Sequence, residues 1–537
     1  MTQTRKPSDP KHRTREPKTP SSSSSSSFST SGMKLIVPLQ GVVQGRGGLF
    51  LGTLIPCALF YFLQLYLKRR RSGFNNPPSP SSTSSPTLPR TSSRSNLSTR
   101  GSISRVRVSK LATLVAKPDD SLYYLGLEKV SQDPYDASEN PNGIIQLGLS
   151  DNKLCLDLIG KWVSRNLEGS LMGSSDDVTL SINGIAPYQP HDGLGELKMA
   201  LSDFMQQVMG ESVKFDPSNM ILTSGATPAI EILSFCLADH GNAFLVPTPY
   251  YPGFVRDVRW RPGVDLIPVH CRSTDNFNLN ITALEQAYSQ ARKRGVKVRG
   301  ILISNPSNPV GNILTPDVLF SLLDFAEEKN IHIIADEVFA GSTYGSDKFV
   351  SIAEILDSEY VDKSRVHIVY GLSKDLSLAG FRVGVIYSFN HTVLAAAKKL
   401  SRFSSISAPT QRLVASMLSD KRFIQEYLET NRYRIQQVHD KFVDCLSKLG
   451  IKCAKSSAGM FCWADMSGLI RPYSEKGELE LWEKFMSVSK INITPGSACH
   501  CIEPGWFRIC FTSISFEDIP LVIERIRRVV ESCKSSS

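Results

Sequence analysis

The chain has 537 residues, 41% hydrophobic and 21% charged, enough for one large or two ordinary domains. Its net charge of +10 sits at one end. Residues 1–117 hold 19 Lys/Arg and 2 Asp/Glu, and the other 42 Lys/Arg and 49 Asp/Glu leave the rest mildly acidic, so nothing calls for a nucleic-acid partner. The 11 cysteines are scattered and odd in number. Cys499 and Cys501 have a single residue between them, the wrong spacing for a zinc knuckle. The set reads as reduced thiols of a cytosol-like compartment, with no metal site.

Residues 1–47 form a basic Ser/Pro-rich tail, with seven consecutive serines from Ser21. Residues 68–118 form a second such stretch. Neither can bury enough apolar surface to offset its ordering entropy, so both are expected to be disordered. Between them, Gly48–Leu67 is twenty residues without a charge. As a helix it spans roughly 30 Å, the thickness of a bilayer core. Arg46 precedes it and Lys68-Arg69-Arg70-Arg71 follows, which places the downstream part on the cytosolic side. Lys34 and Arg46 on the other flank weaken that orientation. The segment starts too late for a cleaved secretory signal. A plastid-type transit peptide is the rival reading, since the tail is basic, Ser-rich and nearly acid-free; a soluble cytosolic protein is the other.

From about Asp119 onward short apolar runs alternate with amphipathic stretches. Met220–Thr223, Ala243–Pro247, Gly300–Ser304, Ile331–Ala335 and Val366–Tyr370 read as buried strands. Pro228–Asp239, Pro316–Lys329 and Val393–Arg402 read as helices between them. That alternation predicts an α/β sheet with helical crossovers, whose ligand lies at the carboxyl ends of strands.

A motif begins at each such end. Ser224-Gly-Ala-Thr-Pro228 offers Thr227 as an N-cap and Pro228 as a first helical residue, leaving the N–H groups of Ala226 and Thr227 to an anion. Pro247-Thr-Pro-Tyr-Tyr-Pro252 supplies a ring able to stack on a flat ligand. Tyr251, just before Pro252, is preferred over Tyr250. In Asn305-Pro-Ser-Asn308-Pro-Val-Gly311 the prolines fix two turns, so Asn308 can point inward. Asp336, in Ala335-Asp-Glu-Val-Phe339, is a carboxylate at a buried strand end that needs a partner. Tyr370-Gly-Leu-Ser-Lys-Asp-Leu-Ser-Leu-Ala-Gly-Phe-Arg382 places Lys374 after a hydrophobic strand, with Ser373 before it and an arginine eight residues on. Gly505-Trp-Phe-Arg508 buries a guanidinium that suits a carboxylate.

Singly, each motif has an ordinary structural explanation: a capped helix, a proline loop, a salt bridge, a surface lysine. In this order they describe a pyridoxal 5'-phosphate site. Lys374 forms a Schiff base with the cofactor aldehyde, and Ser373, Arg382 and the helix start hold its phosphate. Tyr251 stacks on the ring, Asn308 donates to its phenolate and Asp336 pairs with its protonated nitrogen. Arg508 takes an amino acid's α-carboxylate.

Residues 120–530 resemble the fold-type I pyridoxal phosphate enzymes, and more narrowly the 1-aminocyclopropane-1-carboxylate (ACC) synthase branch. Ile145-Gln-Leu-Gly-Leu149, Phe244–Pro252, Arg256-Asp-Val-Arg-Trp-Arg261, Pro495-Gly-Ser497 and Glu503–Arg508 carry that likeness. The resemblance implies a large domain with a mostly parallel seven-stranded sheet (195–430). A smaller α+β domain is built from 119–194 and 431–537. It also implies a homodimer with sites at the subunit interface.

Against ACC synthases the chain differs at four positions. Asp151 stands where they have Glu, and His191 replaces a Tyr that reaches the neighbouring subunit's site. Phe339 replaces a Tyr bonded to the cofactor phenolate, and Gly371 replaces a phosphate-binding Ser. Cofactor and amino-acid groups are kept, while groups that steer the reaction are altered. The expectation is therefore an aminotransferase acting on an amino acid, aspartate or aromatic, and a 2-oxo acid. Asp151 and His191 would join Arg508 at the substrate. The alternatives are an ACC synthase acting on S-adenosylmethionine and a pyridoxal-enzyme fold serving as a binding or regulatory partner.

Overall fold

The computed structural model describes residues 107–118, 121–172, 182–210, 213–356 and 361–535. The chain divides into two units, 1–104 and 105–537, and the described residues all fall in the second. The expected membrane segment 48–67 and most of the two tail stretches lie outside them. Among the described residues, no helix is long and apolar enough to cross a membrane.

Seven strands form the main sheet: β1 (Met220–Thr223), β2 (Ala243–Thr248), β3 (Asp265–His270), β4 (Val298–Ser304), β5 (His332–Asp336), β6 (Val366–Gly371) and β7 (Gly384–Ser388). Their order is β1-β7-β6-β5-β4-β2-β3. β7 runs antiparallel to both its neighbours, and every other pairing is parallel. Six strands thus point one way, and their carboxyl ends share one edge. β1, β6 and β7 are buried along their whole length, as a sheet covered on both faces requires. Each fully buried Val, Leu or Ile on them stabilises the fold by about 1.5–3 kcal/mol. Two of the covering helices carry side-chain caps. Thr315 accepts from Val318 N with Pro316 following it, and Asn390 accepts from Thr392 N and Val393 N.

One cap differs from expectation. The helix after β1, α2 (Ala226–Leu237), begins one residue before Thr227, with Gly225 at its N-cap. Gly225 has φ 99, and an added Cβ would collide with the Arg382 guanidinium. The sharp turn and the close arginine set the start, ahead of any side-chain cap.

The second lobe is built on a four-stranded sheet ordered Thr494–Pro495, β9 (Trp506–Cys510), β8 (Phe461–Asp465), Lys452–Cys453. A 28-residue helix, Lys421–Lys448, leads into it, and the expected boundary at 430/431 falls inside that helix. Leu147, Phe442, Trp482, Phe507 and Val522 share its core. Ile159 and Trp162, expected with this lobe, pack into the core of the main sheet instead. The strand Ile145–Gln146 pairs in parallel with Ile491–Asn492. The following segment crosses to the site, fixed by Cys510 N to Leu147 O at 2.8 Å and Lys153 N to Thr512 O at 2.9 Å. A preceding helix, α1 (Leu122–Gln132), brings Tyr123 to the same place.

Candidate active site

A cavity of about 250 Å³ lies at the carboxyl edge of the main sheet. Lys374, Asp336, Tyr251, Asn308, Ser373, Arg382, Asp151, Ala226 and Thr227 all line it. Five strand ends of the main sheet supply all but Asp151, which arrives on the segment after Ile145–Gln146, so residues more than 200 positions apart in sequence meet here. Two expected residues do not line it. Arg508 stands one layer behind, completely buried. Its Nη1 donates to Asn308 Oδ1 at 2.8 Å and its Nη2 to Gly148 O at 2.6 Å. His191 lies elsewhere and exposed, with Nδ1 3.2 Å from Ser405 Oγ.

Lys374 lies in a single helical turn (Leu372–Asp375) directly after β6. Its Nζ donates to the Ser150 carbonyl at 2.5 Å. Burial pushes its pKa down to about 8. Arg508 adds to the shift, while Cys510, Asp151 and Asp336 oppose it. The next residue, Asp375, is fully buried. It accepts from Tyr370 Oη (2.7 Å), Ser342 Oγ (2.6 Å) and Gly341 N (2.8 Å), which pins the turn in place.

Asp336 ends β5 with 6% of its surface exposed. Burial pushes its carboxyl up to about 7, against the opposing Val338 N–H and Lys374. Its Oδ1 has no hydrogen-bond partner. A buried carboxylate oxygen without a partner is costly, and a protonated ring nitrogen is the group that fits it. Asn308 fits a phenolate, because Arg508 can only donate and so takes the amide oxygen, leaving Nδ2 to donate. The first N–H groups of α2, beside Arg382 and Ser373, fit a phosphate. The residues present therefore suit pyridoxal 5'-phosphate.

The walls are aromatic. Tyr251 lines the cavity, edge-on to Phe254 at 5.5 Å and to Tyr123 at 6.2 Å. Tyr250 faces away and stacks on His500. Phe339 is 1% exposed and edge-on to Phe461, with Lys374 Nζ 5.9 Å from its ring centre. It brings no hydroxyl to the cavity.

Three contributors went unmarked in the sequence. Tyr123 lines the cavity, with the Arg508 guanidinium 5.5 Å from its ring. The Ser150 carbonyl is a backbone atom, invisible to motif reasoning. Asp257 also lines the cavity; burial, then Asp336 and Glu231, push its carboxyl up to about 8. Its spacing from Phe254, one helical turn, was the available signal. Among the described residues, no group of His, Cys, Asp and Glu could hold a metal ion, and the ten described cysteines are free thiols.

A family model described as aminotransferase class I and II matches residues 144–526. The chain is 62% identical over 505 residues to an Arabidopsis thaliana protein named probable aminotransferase ACS12, covering 94% of this chain and 100% of that one. It is 58% identical over 513 residues to the Oryza sativa subsp. japonica protein named 1-aminocyclopropane-1-carboxylate synthase 6, covering 94% of each. In fold it is similar to the Thermus thermophilus aspartate aminotransferase solved with maleate. That match has a TM-score of 0.62 and 20% identity, covering 79% of this chain and 99% of that one. The chain therefore belongs to the class I and II aminotransferase family, the pyridoxal 5'-phosphate enzymes of this fold.

Proposed function

We propose that this protein is an aminotransferase, moving the amino group of aspartate or an aromatic amino acid to a 2-oxo acid. Bound in the cavity, the cofactor supplies an aldehyde and an electron-withdrawing ring that stabilises negative charge at the substrate Cα. The protein's residues do the rest. Arg508, one layer behind the cavity, aims the Asn308 amide, and its Nε, buried without a hydrogen-bond partner, is the group left for the α-carboxylate. Lys374, with its pKa lowered to about 8, is partly neutral near pH 7–8 and can take the Cα proton and return it. Asp336 keeps a proton on the ring nitrogen. Tyr251 stacks on the ring. Ala226, Thr227, Ser373 and Arg382 hold the phosphate. Asp151 sits at the substrate side of Lys374.

The observation that carries this reading is Phe339. It leaves the cofactor-facing wall without the hydroxyl that an ACC synthase uses, while every group needed to move a proton is in place. The 62% identical relative, matched over its whole length, supports it by name. Donor amino acid carrying labelled nitrogen, incubated with unlabelled 2-oxoglutarate, should give labelled glutamate; its absence with every donor offered would defeat the reading.

A second reading is an ACC synthase, a lyase acting on S-adenosylmethionine. The names of the relatives weigh toward it: the rice protein at 58% identity and an Arabidopsis thaliana protein at 47% identity both carry the synthase name. Two further features belong to the proposal. The enzyme acts as a homodimer, with His191 reaching the neighbouring site. It is tethered to a membrane through residues 48–67, its catalytic part in the cytosol.

A further inference from the structure

One aromatic wall of the cavity is tied to the second lobe. Phe254 lines the cavity and is 1% exposed. Tyr250, four residues earlier, lies outside it. The two rings are nearly parallel, 20° between planes and 6.4 Å between centres. His500 of the second lobe stacks on Tyr250 at 4.5 Å and 16°. Beside the stack, Tyr250 N donates to Cys499 O at 2.9 Å. The turn carrying Tyr251 and Phe254 is thus held at two points by the loop 496–501.

That loop is itself fixed. Ser497 N and Gly505 N donate to the buried Glu478 carboxylate at 2.8 and 2.6 Å. Three residues after Gly505 the chain reaches Arg508. His500 also has a left-handed backbone, φ 59, a conformation that Asn, Asp and His tolerate better than other side chains.

We infer that His500 is a positioning residue: its imidazole, stacked on Tyr250, holds the aromatic wall of the cofactor cavity in register with the lobe that carries Arg508. It touches neither cofactor nor substrate. Loss of the ring lets the turn 249–254 move relative to Arg508, so cofactor binding and orientation change together. The inference rests on the cofactor occupying the cavity described above.

The test titrates the full-chain apoenzyme with pyridoxal 5'-phosphate, recording the dissociation constant and the visible circular dichroism of the bound cofactor. His500→Asn is the informative variant, because Asn accepts the left-handed backbone while removing the ring. Its affinity is expected to fall about two- to tenfold, the range of one aromatic pair, with a weaker dichroic band and a melting temperature lowered by no more than a few degrees. Tyr250→Leu should do the same, and the double substitution should add nothing further. Tyr250→Phe, which keeps the stack, should retain wild-type affinity. Wild type that fails to bind the cofactor refutes the cavity assignment and this inference with it. Wild type that binds, with His500→Asn identical to it in both readouts or additive with Tyr250→Leu, overturns the role of His500 alone.

Discussion

Arg508 Nη1 donates to Asn308 Oδ1 at 2.8 Å, across 200 residues of sequence. This bond joins the group proposed for the substrate carboxylate to the group proposed for the cofactor phenolate. A guanidinium cannot accept, so the bond also decides which end of the Asn308 amide faces the cavity.

Arg508→Lys should therefore weaken two affinities. A lysine keeps the charge but loses the planar fork that reaches both Asn308 and Gly148. Hydrogen bonds to charged groups contribute about 1.5–3 kcal/mol, so KM for the amino donor should rise by more than tenfold. Titration of the apoenzyme should show weaker cofactor binding as well. A KM effect with unchanged cofactor affinity would separate the two residues.

Phe339→Tyr should restore a donor to the cofactor phenolate. A hydrogen bond to the ionised form favours it, and the bond is worth on the order of 1–3 kcal/mol. The pKa of the Lys374–cofactor linkage should fall by about one to two units. A pH titration of cofactor absorbance reads this directly, and an unmoved pKa would mean that residue 339 does not face the phenolate.

Asp336 predicts how the apoenzyme responds to pH. Its folded pKa, about 7, lies above the ordinary 3.8, so the folded state binds the proton more tightly than the unfolded state. The stability this contributes is complete below pH 3.8 and is lost as pH rises through about 7. Asp336→Asn removes the loss. The variant apoenzyme should gain on wild type between pH 5 and pH 8, on the order of a few kcal/mol at most, in urea unfolding. Comparing the two proteins cancels the effect of Asp375, whose carboxyl burial also raises; Asp257 and Glu337, which burial and then the Asp336 charge push up, relax toward their ordinary values in the variant and add to its gain. Saturating cofactor should shrink the difference by pairing the wild-type carboxylate.

Asp151 lines the cavity beside Lys374 and holds the lysine's pKa up. Asp151→Asn should lower the pH at which activity rises, because the neutral amine forms more readily. A pH–rate profile of kcat, which reports the enzyme–substrate complex in which the Lys374 amine is released, checks this. A profile that shifts upward would remove Asp151 from the neighbourhood of the reacting lysine.

Much of this site was legible because its parts sit at strand ends. Asp336, Asn308, Tyr251 and Lys374 each follow an apolar run, and a sheet with six strands pointing one way gathers such ends by construction. The illegible parts depend on long-range packing. Tyr123 arrives on a helix whose sequence resembles any amphipathic turn. The Ser150 carbonyl that meets Lys374 has no side-chain signature. Gly225 displaced Thr227 as the cap because an arginine 157 residues later occupies the space a Cβ would need. Arg508 was read as buried, yet its position behind Asn308 depends on the register of β9 against Trp463 and Thr494.

The most direct test offers the full-length protein, loaded with pyridoxal 5'-phosphate, two substrate sets. One is S-adenosylmethionine alone; the other is aspartate, phenylalanine or tyrosine with 2-oxoglutarate. Glutamate from the second set, without methylthioadenosine from the first, is the predicted result. Methylthioadenosine and ACC from the first set, with no glutamate from the second, would contradict it and establish the lyase.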